Sequence, residues 1–311
     1  MNIDKSQFEW IGPDTAISEA ITRDSTSYWQ DAMRRLSKNK TAMAALIIII
    51  VITLCSIFVP IFSPYTMSEQ HLTHTNAPIG FRDEQDGHIH LFGTDSLGRD
   101  IFTRIWYGGR ISLFISFSAV LVNFIIGIIY GGIAGYVGGT LDNIMMRIIE
   151  IVNGIPYLII VVLLMMVLPA GTMTMVIAYA TVGWTGMARL VRGQIMSLKQ
   201  QDYVVAAKVM GAKPARIIGK HLLPNTLSVV IINITLSIPS AIFTEAFLSY
   251  IGLGVPVPLA SWGTLANEGS KVFQLYPSQL VIPAICISLT MLSFNLLGDG
   301  LRDALDPRLR K

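Results

Sequence analysis

The chain has 311 residues, 52% hydrophobic and 14% charged, with a mean hydropathy of +0.56. A soluble globular domain carries about a quarter charged residues, so this composition excludes an ordinary soluble fold and predicts an all-α, multi-pass integral membrane protein. The formal net charge of +3 is small and gives no sign of a nucleic-acid partner. Cys55 and Cys286 both lie in apolar runs and read as small buried hydrophobes, not as a disulfide or metal pair.

Residues 1–41 are polar and mixed in charge, and are expected to form a cytoplasmic segment. Residues 42–62 carry no charge and predict a first transmembrane helix, too long to be a cleaved signal peptide. A polar external loop follows over 63–110. The remainder, 111–311, reads as one transmembrane domain, with further spans at 111–135, 151–168, 172–188, 226–244 and 279–297. Residues 136–150 are expected to form a short turn, 250–278 a Gly/Pro-rich loop and 298–311 a charged tail. The fourth span is the weakest, and its Thr, Gly and Ala content favours contact with other helices or a pathway over lipid.

Charge placement fixes the expected orientation. With both termini cytoplasmic, 18 of the 23 Lys and Arg residues fall on the cytoplasmic side. The external side then holds Arg82, Arg99, Arg104, Arg110 and Lys271.

The chain is organised around a basic stretch within the 197–225 loop, YVVAAKVMGAKPARIIGKHLLPN. Helical spacing of Val205, Val209 and Met210, then of Ile217, Ile218 and Leu222, predicts two short helical pieces. Gly211 can close the first in a left-handed conformation. Pro214 suits the first turn of the second, and Pro224 is expected to end it. The stretch carries no catalytic chemistry. His221 has no carboxylate near it in sequence, and Pro214 stands where a phosphate-binding GxxxxGK[ST] run would need its first glycine.

In the loop before the second span, Gly93 and Gly98 break regular structure, and Asp95, Arg99, Asp100, Arg104 and Arg110 alternate in sign. Taken alone these residues predict a folded external loop tied by surface ion pairs of little individual worth. His71, His74, His88 and His90 share this loop, where spacing and the lack of Cys favour a solvated loop over a metal site. Glu245, at the outer end of the fifth span, and Trp262 are the candidate pathway or gate residues. Trp262 also suits a membrane-interface position. Asn123, Asn233 and Asn295 read first as interhelical glue.

VAAKVMGAKPARIIGKHLLPN resembles the EAA loop of ABC importer permeases: an acidic residue and two alanines, then a glycine, then a downstream H-x-L-P. Ala206, Ala207, Gly211, His221, Leu223, Pro224 and Asn225 match. Val205 replaces the acidic residue, so no ion pair is carried over to that position. FGTDSLGRDIFTRIWYGGRISL, GYVGGTLDNIMMRIIEIVNGIPYL, EAFLSYIGLGVPVPLASWGTL and LGDGLRDALDPRLR are similar to the C-type subunit of the dipeptide/oligopeptide/nickel permease family.

That resemblance implies a type I importer permease fold in a bacterial or archaeal plasma membrane. It implies a second permease as heterodimer partner, two ATPase subunits binding ATP and Mg, an external substrate-binding protein, and no cofactor on this chain. It makes Ala206, Ala207, Gly211, Ile217, Ile218, His221, Leu223 and Pro224 the ATPase-coupling loop. Small residues there would permit close approach, and Ile217, Ile218 and Leu222 would supply an apolar face. The external loops would dock the binding protein. A different class remains open on the residues alone: an ion-coupled secondary transporter, for which Glu245 and Pro239 are thin support. A membrane-embedded protease has no Ser/His or paired-Asp constellation behind it.

Overall fold

The computed structural model describes residues 28–83 and 87–305. The expected cytoplasmic segment therefore falls partly, and the end of the charged tail wholly, outside the described residues. Helix α1 (Tyr28–Lys38) opens the described chain. Asn39 then caps α2 (Lys40–Phe62), its side chain accepting from Ala42 N–H at 3.1 Å. One face of α2 buries Ala42, Ala45, Ile49 and Ile52. The other exposes Ile47, Ile50, Leu54, Phe58 and Phe62. An apolar face of that length has its natural solvent in hydrocarbon.

The loop after α2 folds on a two-residue antiparallel ladder, β1 (Phe81–Arg82) with β2 (Ile89–His90). Helix α3 (Ile101–Val137) begins well before the expected residue 111, because Asp100 caps it: Oδ2 accepts from Thr103 N–H and Oγ1–H, each at 2.7 Å. Helix α4 (Gly139–Gly154) occupies the expected turn. The expected third span over 151–168 is not one helix. It is the end of α4, a break, and α5 (Tyr157–Val167), bent by 80°. The cause is local: Pro156 drives the preceding residue out of the helical region, and Ile155 is extended at φ −88°, ψ 126°.

Helix α6 (Thr172–Leu198) runs past the expected end of the fourth span. Two short helices follow, α7 (Asp202–Val209) and α8 (Pro214–Ile217). A widened turn over Ile218–Leu222 carries α8 directly into α9 (Leu223–Tyr250), so 214–250 is one helical run of 37 residues. The expected stop at Pro224 is thus corrected. Leu223 N–H reaches back to Ile218 C=O in a five-residue turn, and a widened turn accommodates a residue that lacks an N–H and crowds the turn before it. Within the expected Gly/Pro-rich loop sits α10 (Trp262–Lys271), opened by a reciprocal cap between Ser261 and Thr264. Helix α11 (Ser278–Leu305) closes the described chain and continues beyond the expected end of the last span.

Among the described residues, four helical runs are long and apolar enough to cross a membrane, or five if the bent α4–α5 pair counts as one. Helix α6 is long enough, at about 40 Å for its 27 residues, but too polar to be counted with them. It lies against α3 instead. A Cβ on Gly127 would stand 2.6 Å from the Met187 Cβ, and one on Gly135 would stand 2.8 Å from the Arg192 carbonyl oxygen. Between them Gly131 meets the Ala188 carbonyl as closely. Glycines four residues apart form one flat face, and the two backbones meet on it. On its other sides α3 contacts α2, α9, α10 and α11.

Replacing Gly131 by leucine is expected to force α3 and α6 apart and destabilise the detergent-solubilised protein by about 1–3 kcal/mol. Gly193→Ala on α6, where a Cβ meets nothing within 4 Å, is expected to be neutral or mildly stabilising. Thermal unfolding of the two variants checks this, and equal melting temperatures would contradict the packing described.

Candidate functional site

Three groups of residues were singled out by sequence, and the structure sorts them by position along α3. At the C-terminal end of α3 lie α7, α8 and the widened turn. Gly211 joins α7 to α8 at φ +78°, as its expected role requires. Pro214 occupies the first turn of α8. Val204, Ile217 and Leu222 are buried, packed with Val191, Ile195 and Val230 in one apolar cluster, and Ala207 is buried as well. Ile218 and Leu223 are half-buried against the same cluster, and His221 is half-buried.

This corrects the expected apolar contact face. Ile217 and Leu222 turn inward and dock the loop onto its own bundle. The face turned outward is Tyr203, Val205, Ala206, Val209 and Met210, with Val209 83% and Met210 80% exposed. Lys208, Lys213, Arg216 and Lys220 are exposed around it. Helical spacing had located the apolar positions correctly, but it cannot say which apolar stripe finds partners within the chain.

The loop is also tied to the bundle by polar contacts. Lys199 Nζ donates to the Gly135 carbonyl at 2.9 Å, and the Lys208 ammonium lies 5.4 Å from the centre of the Tyr136 ring. Arg192 donates through Nη2 to Asp142 Oδ2 at 2.6 Å and through Nε to the other oxygen. These hydrogen bonds outweigh the cost of burial and hold the Asp142 carboxyl below the usual carboxylate range. No local pattern signals this pair, whose members are 50 residues apart.

At the N-terminal end of α3 the loop charges are mostly buried, not surface pairs. Asp95 Oδ1 accepts from the Leu97 and Arg99 amides at 2.9 and 3.0 Å, and its Oδ2 accepts from Arg99 Nε at 2.7 Å. Arg99 and Arg104 then each donate through Nη2 to the same oxygen of Glu268 on α10, both at 2.9 Å. The Arg104 side chain is 1% exposed. Gly98 at φ +72° lies directly under the His71 carbonyl, and Gly93 at φ +77° lies under that of Ala77, so neither position has room for a side chain. Arg110 takes no part; it is exposed on α3. The expected solvated histidine loop is corrected as well. His90 is fully buried, stacked on Tyr65 with ring centres 4.3 Å apart and hydrogen-bonded through Nδ1 to Asp100 at 2.9 Å.

Glu245 and Trp262 are interior residues beside this network. Glu245 is 2% exposed and accepts from Ser249 Oγ at 2.8 Å, so it is not the hydrated interfacial carboxylate its position suggested. Trp262 is fully buried, lies against Gly109, and donates through Nε1 to the Ile105 carbonyl at 2.9 Å. It pins α10 to α3 and does not mark a membrane interface. Neither residue lines the cavity between α3, α6 and α9 that holds Asn123, Arg189 and Asn233.

Removing the Asp95 carboxylate leaves two buried guanidinium groups short of a counter-charge. Asp95→Ala is therefore expected to cost about 3–5 kcal/mol, whereas Arg110→Gln should change stability by less than about 0.5 kcal/mol. Thermal unfolding in detergent measures both, and comparable small losses would refute the network's role.

Residues 93–311 match the family described as binding-protein-dependent transport system inner membrane component. Residues 27–78 match the N-terminal TM domain of oligopeptide transport permease C. The chain is 50% identical over 310 residues to the oligopeptide transport system permease protein OppC of Bacillus subtilis, covering 100% of this chain and 99% of that protein. It is 51% identical over 295 residues to the dipeptide transport system permease protein DppC of the same organism, covering 94% and 90%. OppC of Escherichia coli K12 is 41% identical over 294 residues, covering 94% and 95%. Similarity to solved structures is weaker: a chain of the inward-facing MetNI methionine ABC transporter aligns at 19% identity and a TM-score of 0.48, covering 64% of this chain and 94% of that one. On the family match and the extent of identity with these relatives, the chain belongs to the binding-protein-dependent transport system inner membrane components, the permease subunits of ABC importers, and is a multi-pass protein of the bacterial plasma membrane.

Proposed function

We propose that this chain forms half of the pathway by which an ATP-driven importer moves peptides across the plasma membrane, and that α7 and α8 are where the driving force enters. The relatives' names carry oligopeptide and dipeptide transport, which supports peptides as the cargo class. The other half of the pathway is a second permease. Two ATPase subunits bind ATP and Mg at the α7–α8 end, and an external binding protein delivers peptide at the opposite end. The ion-coupled reading has no support in the family, and Glu245 is enclosed and accepts a hydrogen bond from Ser249.

In this reading the topology has six spans with both termini on the ATPase side: α2, α3, the bent α4–α5 pair, α6, the α8–α9 run and α11. Helix α6 is the extra span. Its polarity is tolerable because Ala178, Ala180, Ala188 and Thr185 are buried against neighbouring helices, Ala188 under Gly131 of α3 and Thr185 donating to Asn153 of α4 at 3.0 Å.

The observation that carries the proposal is the two-sided character of α7. Val204 and Ala207 seat it firmly on the bundle, while Val209 and Met210 stay almost fully exposed. Large apolar side chains held in that way, ringed by Lys208, Lys213 and Arg216, fit a protein partner with an apolar groove and an acidic rim. The mechanics follow from the chain path. Helix α7 hangs from the end of α6, and α8 runs without a break into α9. A displacement imposed on this face is delivered to two long helices that pack against α3 and each other. No group here performs chemistry on ATP. The contact converts closure of the ATPase pair into helix movement, and the Asp142–Arg192 and Lys199–Gly135 contacts keep the lever from yielding at its base.

A Val209→Glu, Met210→Glu double variant is expected to leave the permease pair folded and to reduce ATP-driven peptide uptake in proteoliposomes by at least about tenfold, since hot-spot side chains at an interface contribute roughly 2 kcal/mol or more each. Uptake at the level of the unaltered importer would sink the coupling role.

A further inference from the structure

Midway along α3, α6 and α9 a cavity of about 460 Å³ is lined by residues that the packing leaves unsatisfied. That volume lies within the range of about 300–1,000 Å³ usual for small-molecule sites. Asn123 on α3 is 7% exposed, makes no hydrogen bond among the described residues, and has a buried, unpartnered Oδ1. Its amide lies directly against Gly183 of α6, where any Cβ would displace it. Asn233 on α9 also lines the cavity. Its backbone carbonyl accepts from Ser237 Oγ–H at 2.7 Å, while its side-chain amide has no partner among the described residues. Arg189 of α6 stands on the same wall and forms no ion pair and no hydrogen bond among the described residues. Gly183, Gly186 and Arg189 are exposed, so the cavity opens at the surface of the chain.

The contrast within the molecule is informative. Arg99, Arg104 and Arg192 each have a carboxylate at hydrogen-bond distance. Arg189 has none among the described residues, as the exposed Arg110 and Arg216 have none; what sets it apart is its place on a cavity wall that contains no acidic residue. If structural glue were the whole role of Asn123, its buried oxygen would be bonded to a neighbouring helix, because an unpaired buried amide is costly; Asn233 is half-buried and turns an unpaired amide to the same cavity. One fixed cation and two open amides around an otherwise apolar space have the chemistry of a carboxylate with an adjoining peptide group.

We propose that this cavity is a subsite for the C-terminal end of a peptide in transit, with the Arg189 guanidinium receiving the carboxylate and the Asn123 and Asn233 amides receiving the neighbouring peptide group. The inference rests on the permease reading above and adds a residue-level contact for its cargo. The helices that form the subsite are those the coupling face moves, so occupancy and helix movement are linked by construction.

The test uses the complete importer in proteoliposomes, with ATP inside the compartment that holds the ATPases. Two probes are compared, trialanine with a free carboxylate and trialanine amide. Assembly of each variant is confirmed by co-purification of all subunits. Arg189→Gln is expected to lower uptake of trialanine by about tenfold, the loss of one charge-assisted hydrogen-bonded contact. Uptake of the amide should change by no more than about twofold, because the amide offers no charge to pair. Arg189→Lys should keep part of the preference for the free acid. Asn123→Ala, which alters no charge, is expected to lower uptake of both probes. Equal effects of Arg189→Gln on the two probes, or unchanged uptake of both probes by Asn123→Ala, would overturn the subsite. An unaltered importer that moves neither probe in an ATP-dependent way would overturn the permease reading as well, which separates the two failures.

Discussion

The face of α3 that meets α6 has no room for a side chain. Gly127, Gly131 and Gly135 bring the two helices together at backbone distance, and most of what is specific to this protein is built on that approach. Helix α6 is too polar to be stabilised by hydrocarbon alone. Dispersion contact along α3 compensates, because close-packed small residues give up nothing to lipid and gain atoms at short range. The same approach brings Arg192 to Asp142 and Lys199 to the end of α3. It therefore fixes where α7 can begin. Helix α7 is joined to α6 at one end and through α8 to α9 at the other, as the proposed coupling role requires.

The two ends of α3 solve different problems with different chemistry. At the N-terminal end, Asp95, Arg99, Arg104 and Glu268 form a charge network that is mostly buried, and His90 pairs separately with Asp100. Buried pairs of this kind fix a geometry more reliably than they add stability. They hold the long loop and α10 in one arrangement. At the C-terminal end Lys208, Lys213, Arg216 and Lys220 are exposed, and Val209 and Met210 beside them are almost fully exposed. That is the character of a surface completed by another protein. Between the two, the unpaired Asn123, Asn233 and Arg189 are neither closed nor exposed in that sense, which is why they are assigned to cargo.

How much of this was legible in the sequence depends on how local each cause is. Gly211 and Pro214 were legible, since their conformational limits belong to the single residue. The apolar runs located the long helices but misplaced their ends. Helix α3 continues through Arg104 because its partners, Glu268 and Asp95, lie in other elements, and hydropathy counts Arg104 only as a break. The break between α4 and α5 falls at Pro156, near the start of the expected span, and the long apolar run after it, Tyr157–Val167, read as part of one crossing. Helix α10 was hidden in a run rich in Gly and Pro, and the spacing of Ser261 and Thr264 was its one local signal. The direction of the 203–222 stretch was not legible. Two apolar stripes of similar strength lie there, and only the long-range cluster with Val191, Ile195 and Val230 decides which is buried. The peptide-permease resemblance, by contrast, was carried by ordered motifs and agrees with the family to which the chain belongs.

The central claim is that the outward face of α7 is the permease's contact with its motor. Cross-linking tests it most directly. Met210→Cys, in a chain with Cys55 and Cys286 replaced by alanine, would be labelled with a short photoactivatable reagent in the fully assembled importer. The account predicts one principal product, joined to an ATPase subunit, with a yield that changes when ATP is bound. A cross-link to the external binding protein, or none to an ATPase under conditions where transport proceeds, would contradict it.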